Sequence, residues 1–297
     1  GGTGTSTRAR ARASRMSYRC SACGETHEHW SARCGVCGLR HTILATDGLE
    51  GDADPEGRYL ESIRAGTPKL LPTGIWALDT LLGGGFQTPS TTFLGGKPGI
   101  GKSTLLLQAL TGMADHARGP ILYCACEESA ERIKSRARDR VKIPRRRIVV
   151  LVQPTLEAIG RAIASHPRLI AVAIDPLHEL TTEAPIGPRS RLTHCARELV
   201  AWAQARKLVM IFLAHLARKG NIAGSLTAEH LLDAVLHLSG RPSSAERRLT
   251  ASKLRWHSTD LAAAFTMTGR GLVNGRILES AREEETPAQA GEMGRLG

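Results

Sequence analysis

A glycine-rich segment at residues 95–104, GGKPGIGKST, constrains the fold of this chain more than any other feature. It follows a short apolar run, TTFL, and precedes a leucine-rich stretch, LLLQAL, which indicates a loop between a strand and a helix. From Gly96 to Ser103 the residues satisfy G-x-x-x-x-G-K-[ST], the pattern of a nucleotide phosphate loop. A glycine-rich turn that holds no ligand is the alternative, but the complete match in this context predicts ATP binding.

The residues of this segment have expected roles in holding ATP and Mg²⁺. Glycines let backbone N–H groups curl around a phosphate, and the N-terminus of the following helix adds the positive end of its dipole. Lys102 supplies a mobile cation for the β- and γ-phosphates, and the Ser103 hydroxyl is the expected Mg²⁺ ligand. The predicted ATP-binding residues of the segment are Gly96, Pro98, Gly99, Gly101, Lys102, Ser103 and Thr104.

Three further apolar runs end in polar residues, and ligands of parallel sheets bind at the carboxyl ends of the strands. LIAVAID ends at Asp175, the expected carboxylate that holds magnesium through water, although such a residue can also cap a turn. ILYCACEES delivers Glu127 and Glu128, of which Glu127 is the predicted base for the attacking water; both could instead begin the next helix. LVMIFLAH ends at His215, interpreted as a γ-phosphate sensor or as a buried histidine.

Cysteine spacing predicts a metal site near the N-terminus. Two C-x-x-C pairs separated by ten residues can wrap one tetrahedral zinc ion. Disulfides are the competing interpretation, but nothing else in the sequence suggests an oxidising compartment. His27 and His29 lie between the pairs and could replace a thiolate, although the symmetry favours four cysteines. The predicted zinc ligands are Cys20, Cys23, Cys34 and Cys37, whereas Cys124, Cys126 and Cys195 are interpreted as small core residues.

The charge distribution favours a polyanionic partner. The net charge is +12, and residues 132–147 contain nine lysines and arginines against one acid, Asp139. A solvated helix face is the alternative for that run. Two basic loops next to the expected nucleotide site are the candidate DNA contacts, and they carry Arg189, Arg191, Arg218 and Lys219.

Strand and helix patterns alternate after about residue 68, which predicts an α/β fold of the P-loop ATPase type with a parallel sheet covered by helices on both faces. Later segments with glycine turns are expected to continue the sheet as edge hairpin strands. No run approaches 18 apolar residues, so we expect a cytoplasmic protein without a membrane partner. The predicted organisation is a disordered basic arm at 1–16, a zinc finger at 17–42, a linker at 43–67, an ATPase domain at 68–280 and a flexible tail at 281–297.

Several motifs together resemble the bacterial RadA/Sms DNA-repair family. The two cysteine pairs with Trp30 between them resemble the zinc finger of that family. TGIWALDTLLGGGF, GGKPGIGKSTLLLQ, EES and GNIAGSLTAEHLLDAVLHL look like its consecutive ATPase motifs. The resemblance runs from about Cys20 to Gly275 and implies a RecA-like ATPase domain. Members of the family usually continue into a Lon-protease-like domain, and this chain is interpreted as a shortened form without it.

The resemblance also suggests a role for the segment SKLRWH, residues 252–257. RadA proteins carry a Lys-Asn-Arg-Phe-Gly signature there, and related ring ATPases use the Lys-x-Arg pair to reach the γ-phosphate of the neighbouring subunit. Lys253 and Arg255 keep the pair, whereas Leu254, Trp256 and His257 depart from the signature. The family thus implies that Lys253 and Arg255 complete an adjacent active site, although a basic strand face is the alternative.

These observations lead to one main functional prediction and two alternatives. The chain is expected to be a DNA-dependent ATPase that forms hexameric rings and uses ATP, Mg²⁺ and Zn²⁺. We expect it to act as a motor or helicase on single-stranded or branched DNA in recombination and repair. The family implies a recombinase partner. A KaiC-like, nucleotide-switched regulatory ATPase that does not move on DNA is the first alternative. A phosphotransferase is the second, although the sequence shows no arginine-rich lid after Asp175.

Overall fold

A computed structural model describes residues 18–20, 25–27, 31, 34–36, 43–45, 60, 66–67, 69–140, 147–215, 230–241 and 243–279. The chain divides into two compact units, residues 1–65 and residues 66–297.

The described part of the larger unit contains five α-helices and eleven strands. The helices are α1 (Trp76–Leu81), α2 (Lys102–Ala117), α3 (Ala130–Arg140), α4 (Leu156–Ser165) and α5 (Pro188–Arg206), with a 3₁₀ turn at Leu177–Glu179. The strands are β4 (Lys69–Leu71), β5 (Phe86–Thr88), β6 (Ser90–Gly96), β7 (Ile121–Ala125), β8 (Ile148–Val152), β9 (Ala171–Asp175), β10 (Val209–His215), β11 (Ala234–Ser239), β12 (Glu246–Leu254), β13 (Leu261–Thr268) and β14 (Gly271–Glu279).

Nine of these strands form one mixed sheet. Its order is β14-β13-β12-β11-β6-β10-β9-β7-β8, and β4 pairs with β5 separately. The strands from β11 through β6, β10, β9 and β7 to β8 are parallel, whereas β12, β13 and β14 are added antiparallel at one edge. The predicted α/β class, with hairpin strands at one edge, is therefore confirmed.

The central strands read as continuous apolar runs because both faces of the sheet are buried. In β9, Ala171 and Ala173 pack on the face covered by α1, α2 and α3, whereas Val172 and Ile174 pack on the face covered by α4 and α5. Successive side chains of a strand point to opposite faces, so one strand contributes to two separate cores. The two cores hold the parallel strands in register, so that their carboxyl ends lie side by side.

The smaller unit contains a three-stranded antiparallel sheet of order β2-β1-β3. Its strands are β1 (Tyr18–Cys20), β2 (Thr26–His27) and β3 (Ile43–Ala45). Residues 43–45 were expected to begin the linker, but they pair with β1 across Tyr18, Arg19 and Cys20. The apolar run Ile-Leu-Ala is therefore part of this sheet, and the other predicted domain limits remain predictions.

The structure corrects one local expectation about Arg189 and Arg191. Both were placed in a basic loop, but they lie in the first turn of α5, which begins at Pro188. Proline suits the first helical position because its missing N–H would have no helical partner there. Arg191 Nη2 also donates to the carbonyl of His178 at 3.3 Å. Among the described helices, none is long and apolar enough to cross a membrane.

We predict that Gly112→Ala destabilises the larger unit. Alanine normally favours a helix interior over glycine. A Cβ at residue 112 of α2, however, would lie 1.7 Å from the carbonyl oxygen of Thr73 and 2.6 Å from its carbonyl carbon. The free energy of unfolding should fall by about 1–3 kcal/mol, the usual cost of overpacking, as measured by urea unfolding.

Gly160→Ala is the matched control, because Gly160 also lies within a helix, α4. A Cβ there would meet only the side chain of Trp202, at 3.0 Å, and a side chain can move. We expect a small change for this variant. Equal stability of Gly112→Ala and the wild type would contradict the close approach of α2 to residue 73.

Candidate nucleotide site

A cavity of about 450 Å³ lies at the carboxyl ends of the parallel strands. It lies where β6, β9 and β7 end and the segments after them begin, as expected for a ligand site in such a sheet. The residues that line it are Gly99, Gly101, Lys102, Ser103, Thr104, Tyr123, Ala125, Glu127, Glu128, Arg136, Asp175, Pro176 and Met267. Residues predicted from three separate sequence segments are therefore brought together at one cavity.

The loop between β6 and α2 has a backbone shape that favours glycine. Gly99 has φ +72° and Gly101 has φ +110°, both in the left-handed region. A Cβ on Gly101 would also lie 2.3 Å from Cε of Met267 on β13. The loop therefore runs close to the edge strands as well as to the central sheet.

Lys102 is the first residue of α2, and its side chain is only 6% exposed. Its Nζ donates to the carbonyl oxygens of Gly96 at 2.8 Å and Lys97 at 3.0 Å. Burial lowers the pKa of this ammonium group, and the nearby carboxylates of Asp175 and Glu127 oppose that effect. The ammonium group of Lys102 therefore contacts the loop backbone, next to the position expected for a nucleotide phosphate.

Arg247 supports the same loop from the edge of the sheet. It lies on β12 and is 8% exposed, and its Nε donates to the carbonyl of Ile100 at 3.0 Å. Its Nη1 donates to the carbonyls of Ser244 and Glu246. A buried guanidinium group with these partners links β12 to the loop, which is 147 residues away in the sequence.

Asp175 ends β9 beside Ala125 of β7. Tyr123 Oη donates to its Oδ2 at 2.5 Å, and this bond orients the carboxylate at the cavity. Burial, followed by the charge of Asp175, raises the pKa of the Tyr123 hydroxyl well above its usual value. The tyrosine therefore stays protonated as a donor at neutral pH.

Glu127 and Glu128 have different surroundings although both line the cavity. Arg136 of α3 donates from Nη2 to Oε1 of Glu128, which fixes that carboxylate. The Glu127 side chain is 50% exposed, and its Oε1 lies 4.0 Å from Nε2 of His178. Of the two carboxylates, Glu127 is therefore the one with more freedom to orient a water molecule.

Glu127, His178 and Glu179 form a cluster whose ligand atoms all lie within 4.8 Å of one another. His178 Nε2 is 3.7 Å from Oε1 of Glu179. Both glutamate side chains are half exposed, and Glu127 also lines the cavity. It places the imidazole of His178 beside the predicted base.

Of the polar residues that line the cavity, Tyr123 and Arg136 were not predicted from the sequence. Tyr123 stands in the apolar run ILYCA, where its hydroxyl was the only polar side-chain signal before the cysteine. Arg136 belongs to the basic run, but it lies three residues after buried Ile133 and next to buried Ala137. Spacing of three or four residues places side chains on one helix face, so this pattern could have identified the arginine that turns inward.

Lys253 and Arg255 lie far from the cavity of their own chain. Lys253 is on β12, which ends at Leu254, and Arg255 follows directly. Arg255 Nη1 donates to Oδ1 of Asp233 at 2.9 Å, and the arginine side chain is 56% exposed. Asp233 precedes β11, whose first residue pairs with Thr92 near the start of β6. The arginine therefore lies at the end of the sheet opposite the phosphate loop.

Other predicted residues are described only in part. The backbone of His215 pairs with Gly96, but its side chain lies outside the described set, as does that of Arg189. Arg218 and Lys219 fall outside the described residues, as do Cys23, Cys37 and the side chain of Cys20. Cys34 is buried, and its Sγ lies 3.3 Å from Nε2 of His27.

The described residues fit the phosphates of ATP and a magnesium ion. The cavity has a size typical of small-molecule sites, with a lysine, a hydroxyl and carboxylates on its walls. Fewer of the described residues fit a zinc ion: the buried thiol of Cys34 and the neighbouring imidazole of His27 supply two suitable ligand types. Both donors are of the kind that zinc accepts in structural sites.

We predict that the Arg136–Glu128 pair matters for stability mainly because its members are partly buried, with side chains 21% and 32% exposed. Among the described residues, Glu128 Oε2 and Arg136 Nη1 lack hydrogen-bond partners, so the pair is only partly satisfied. Arg136→Ala should lower the free energy of unfolding by about 1–3 kcal/mol, because it leaves a carboxylate without its donor. Urea unfolding measures the change.

The double variant Arg136→Ala/Glu128→Ala should lose less than the sum of the single changes, since it removes both members of the pair. Arg132→Ala is the matched control, because Arg132 is an exposed arginine on the same helix. Additive effects of the two single changes would show that Arg136 and Glu128 do not interact.

Comparison with known proteins identifies the larger unit. The KaiC ATPase family matches residues 71–143. The crystal structure of a KaiC-like protein from Pyrococcus horikoshii superposes with a TM-score of 0.56 at 19% identity, covering 70% of this chain and 99% of that chain. This likeness shows the fold.

Curated DNA repair proteins named RadA resemble a longer part of the chain. The protein of Treponema pallidum is 34% identical over 274 residues, and that of Pseudomonas aeruginosa is 33% identical over 278 residues; each alignment covers 88% of this chain. The chain covers 59% and 60% of the length of these two relatives. The comparisons thus confirm that the chain is similar to the RadA DNA-repair family over 88% of its length and that its core is a RecA-like, KaiC-like ATPase domain.

Proposed function

We propose that this chain is a DNA-dependent ATPase that acts on single-stranded or branched DNA in recombination and repair, as part of a ring whose subunits share active sites. The observation that carries the proposal is the separation of two groups on one subunit. The nucleotide cavity lies at one end of β6, and Arg255 lies at the other. A hexamer and a motor or helicase activity belong to the same proposal, as does a recombinase partner. Because RadA relatives are named DNA repair proteins, we also propose a cytoplasmic location.

Residues of one subunit perform the binding steps. Lys102, which donates to the carbonyls of Gly96 and Lys97 in this structure, would bind the β- and γ-phosphates, and Ser103 and Asp175 would hold the magnesium ion. When bound, Mg²⁺ neutralises charge on the phosphates. The loop backbone and the start of α2 supply N–H groups to the same phosphates.

Glu127 is the proposed group that orients and deprotonates the attacking water. It lines the cavity with Lys102 and Asp175, and its exposed carboxylate can reach a water near the γ-phosphate. Glu128 is not assigned this role, because Arg136 holds its carboxylate. His215 is proposed as the γ-phosphate sensor, since its backbone pairs with Gly96.

Arg255 and Lys253 are proposed to act on the neighbouring subunit. Thr92 pairs with Ala234 and Gly96 pairs with Leu238, so β6 and β11 run side by side from the Arg255 end to the phosphate loop. At a rise of about 3.3 Å per residue, the five steps from Thr91 to Gly96 span about 16 Å. An arginine at that distance cannot reach the nucleotide of its own chain, which supports a role at the nucleotide of an adjacent copy.

The DNA contacts are proposed on charge and position. The net charge of +12 favours binding to a phosphate backbone. Arg191 lies at the start of α5 and donates to the carbonyl of His178, whose imidazole lies beside Glu127. We therefore propose that Arg191 couples nucleotide binding to DNA binding. Arg189, Arg218 and Lys219 are the other proposed DNA contacts.

Zinc is proposed to hold the smaller unit, with Cys20, Cys23, Cys34 and Cys37 as ligands. The cysteine spacing and the burial of Cys34 support the proposal. His27 is the alternative fourth ligand, because it lies beside Cys34. The described part of this unit is a sheet of three strands with two or three residues each, and a metal crosslink would stabilise so small a sheet.

A KaiC-like nucleotide switch is the second candidate function. The match of the KaiC ATPase family to residues 71–143 favours it. Such a protein would change its assembly with bound nucleotide and would hydrolyse ATP slowly, without a response to DNA. The two functions therefore differ in one measurable property.

We predict that single-stranded DNA stimulates steady-state ATP hydrolysis by the wild type. Arg255→Ala should lower kcat by on the order of 1,000-fold while ATP binding persists, because a trans-acting arginine stabilises the transition state. Glu127→Gln should also retain ATP binding, and it should lose on the order of 100-fold or more in kcat. Hydrolysis is followed with and without DNA, and ATP binding is measured separately.

Arg276→Ala serves as the matched control for Arg255→Ala, because Arg276 is an exposed arginine in an ion pair of the same 2.9 Å length, with Glu246. It should hydrolyse ATP like the wild type. A slow rate that neither DNA nor Arg255→Ala changes would exclude the motor and favour the switch.

We predict one zinc ion per chain in protein purified without chelator. Cys34→Ser should lose this zinc, because a neutral hydroxyl is a poor replacement for a thiolate ligand. Cys195→Ser is the control, since Cys195 is a buried thiol in the other unit. Metal analysis by mass spectrometry gives the stoichiometry, and an equal zinc content in all three proteins would contradict the site.

A further inference from the structure

The carboxylate of Asp233 joins Arg255 to the start of β6. Its Oδ1 accepts from Nη1 of Arg255 at 2.9 Å. Its Oδ2 accepts from the backbone N–H and the hydroxyl of Thr91, at 2.8 Å and 2.9 Å. Both oxygens are therefore used, and the two sides of the carboxylate have separate partners.

The backbone around Asp233 has the same two attachments. Its N–H donates to the carbonyl of Thr91 at 2.9 Å, and its carbonyl accepts from the N–H of Arg255 at 3.0 Å. A third bond runs from Nη2 of Arg255 to the carbonyl of His230 at 3.3 Å. Arg255 thus lies just beyond the end of β12. It is held by Asp233 and His230, a pair that we call the platform, and Asp233 is bonded in turn to Thr91 of the central sheet.

This platform orients the guanidinium group without burying it. The side chain of Asp233 is 14% exposed and that of Arg255 is 56% exposed. A guanidinium group has five N–H donors, and the described contacts with Asp233 and His230 use two of them. An ion pair with one member this exposed contributes little to stability, so orientation of the arginine is its main physical effect.

We propose that Asp233 is a positioning residue that aims Arg255 at the phosphate of a nucleotide bound to a neighbouring copy of this chain. The inference rests on the proposed function, because it requires that Arg255 act in trans. The inference adds an explanation of how the side chain of Arg255 is held in its orientation. Asp233 bonds both β6, the strand that leads into the subunit's own phosphate loop, and Arg255. The position of β6 therefore sets the position of the arginine that would enter the neighbouring active site.

A structural role for Asp233 is the competing explanation. The carboxylate also accepts from two donors of Thr91, so it could simply hold the start of β6 in place. In that case a change at Asp233 would damage the nucleotide site of its own subunit. The two explanations therefore assign the defect to different subunits of an assembly.

The variant Asp233→Asn separates the two contacts. Its amide oxygen can still accept from the N–H and hydroxyl of Thr91, while its NH₂ group faces Arg255, which is also a donor. We expect kcat to fall on the order of 100-fold, the cost of misplacing a reacting group by about 1 Å, with little change in KM for ATP. The urea midpoint should stay close to that of the wild type.

Glu246→Gln is the matched control for this change. It also converts a carboxylate to an amide and breaks an ion pair of 2.9 Å, with Arg276, at the edge of the same sheet. We expect it to keep the wild-type kcat. If Asp233→Asn also keeps the wild-type kcat, the inference is overturned.

Mixed assemblies of full-length variants locate the defect. Arg255→Ala keeps its own site but lacks the arginine, whereas Glu127→Gln keeps the arginine but lacks the base. A mixture of these two should regain DNA-stimulated hydrolysis if the arginine acts in trans. Asp233→Asn mixed with Glu127→Gln should regain it as well, and Asp233→Asn mixed with Arg255→Ala should not.

The results distinguish failure of the inference from failure of the proposed function. No recovery from Arg255→Ala with Glu127→Gln would overturn the trans arrangement and the inference together. Recovery in that mixture, with recovery of Asp233→Asn only by Arg255→Ala, would leave the trans arrangement standing. That second pattern would show that Asp233 supports its own subunit's site, which overturns the inference alone.

Discussion

The buried ammonium group of Lys102 is the interaction on which the nucleotide site depends. Its bonds to the carbonyls of Gly96 and Lys97 close the loop that connects β6 to α2. A charge this buried requires polar partners, and the two carbonyl oxygens supply them. Burial lowers the pKa of this group, and the negative charges of Asp175 and Glu127 oppose that effect. The loop, the strand ends and the acidic wall of the cavity therefore form one electrostatic unit.

The nine-stranded sheet connects this unit to parts of the chain that are distant in sequence. Arg247 on β12 holds the carbonyl of Ile100, and Asp233 before β11 holds the start of β6. Both residues lie on the side of β6 that leads through β11 to the antiparallel strands. The edge strands thus support the loop at one end of β6 and present Arg255 at the other, which gives the C-terminal hairpins a role beyond completing the sheet.

Much of the fold was predictable because its signals are local. Apolar runs such as AVAID read as strands buried on both faces, and GGKPGIGKST has one common structural context. The errors occurred where a local pattern had two interpretations. Arg189 and Arg191 follow a polar segment that resembles a loop, yet Pro188 begins a helix there. Residues 43–45 are too few to signal a strand until their partner, β1, is known.

The sequence by itself determined the ATPase class, the phosphate loop and the succession of strands and helices along the chain, since each depends on neighbouring residues. Only the tertiary structure decided which charged groups meet. Arg136 turns from a basic run toward Glu128, Tyr123 orients Asp175, and Asp233 pairs with Arg255. These contacts depend on strand order and helix rotation, and side chains separated by 8, 52 and 22 residues carry no local signal of their proximity.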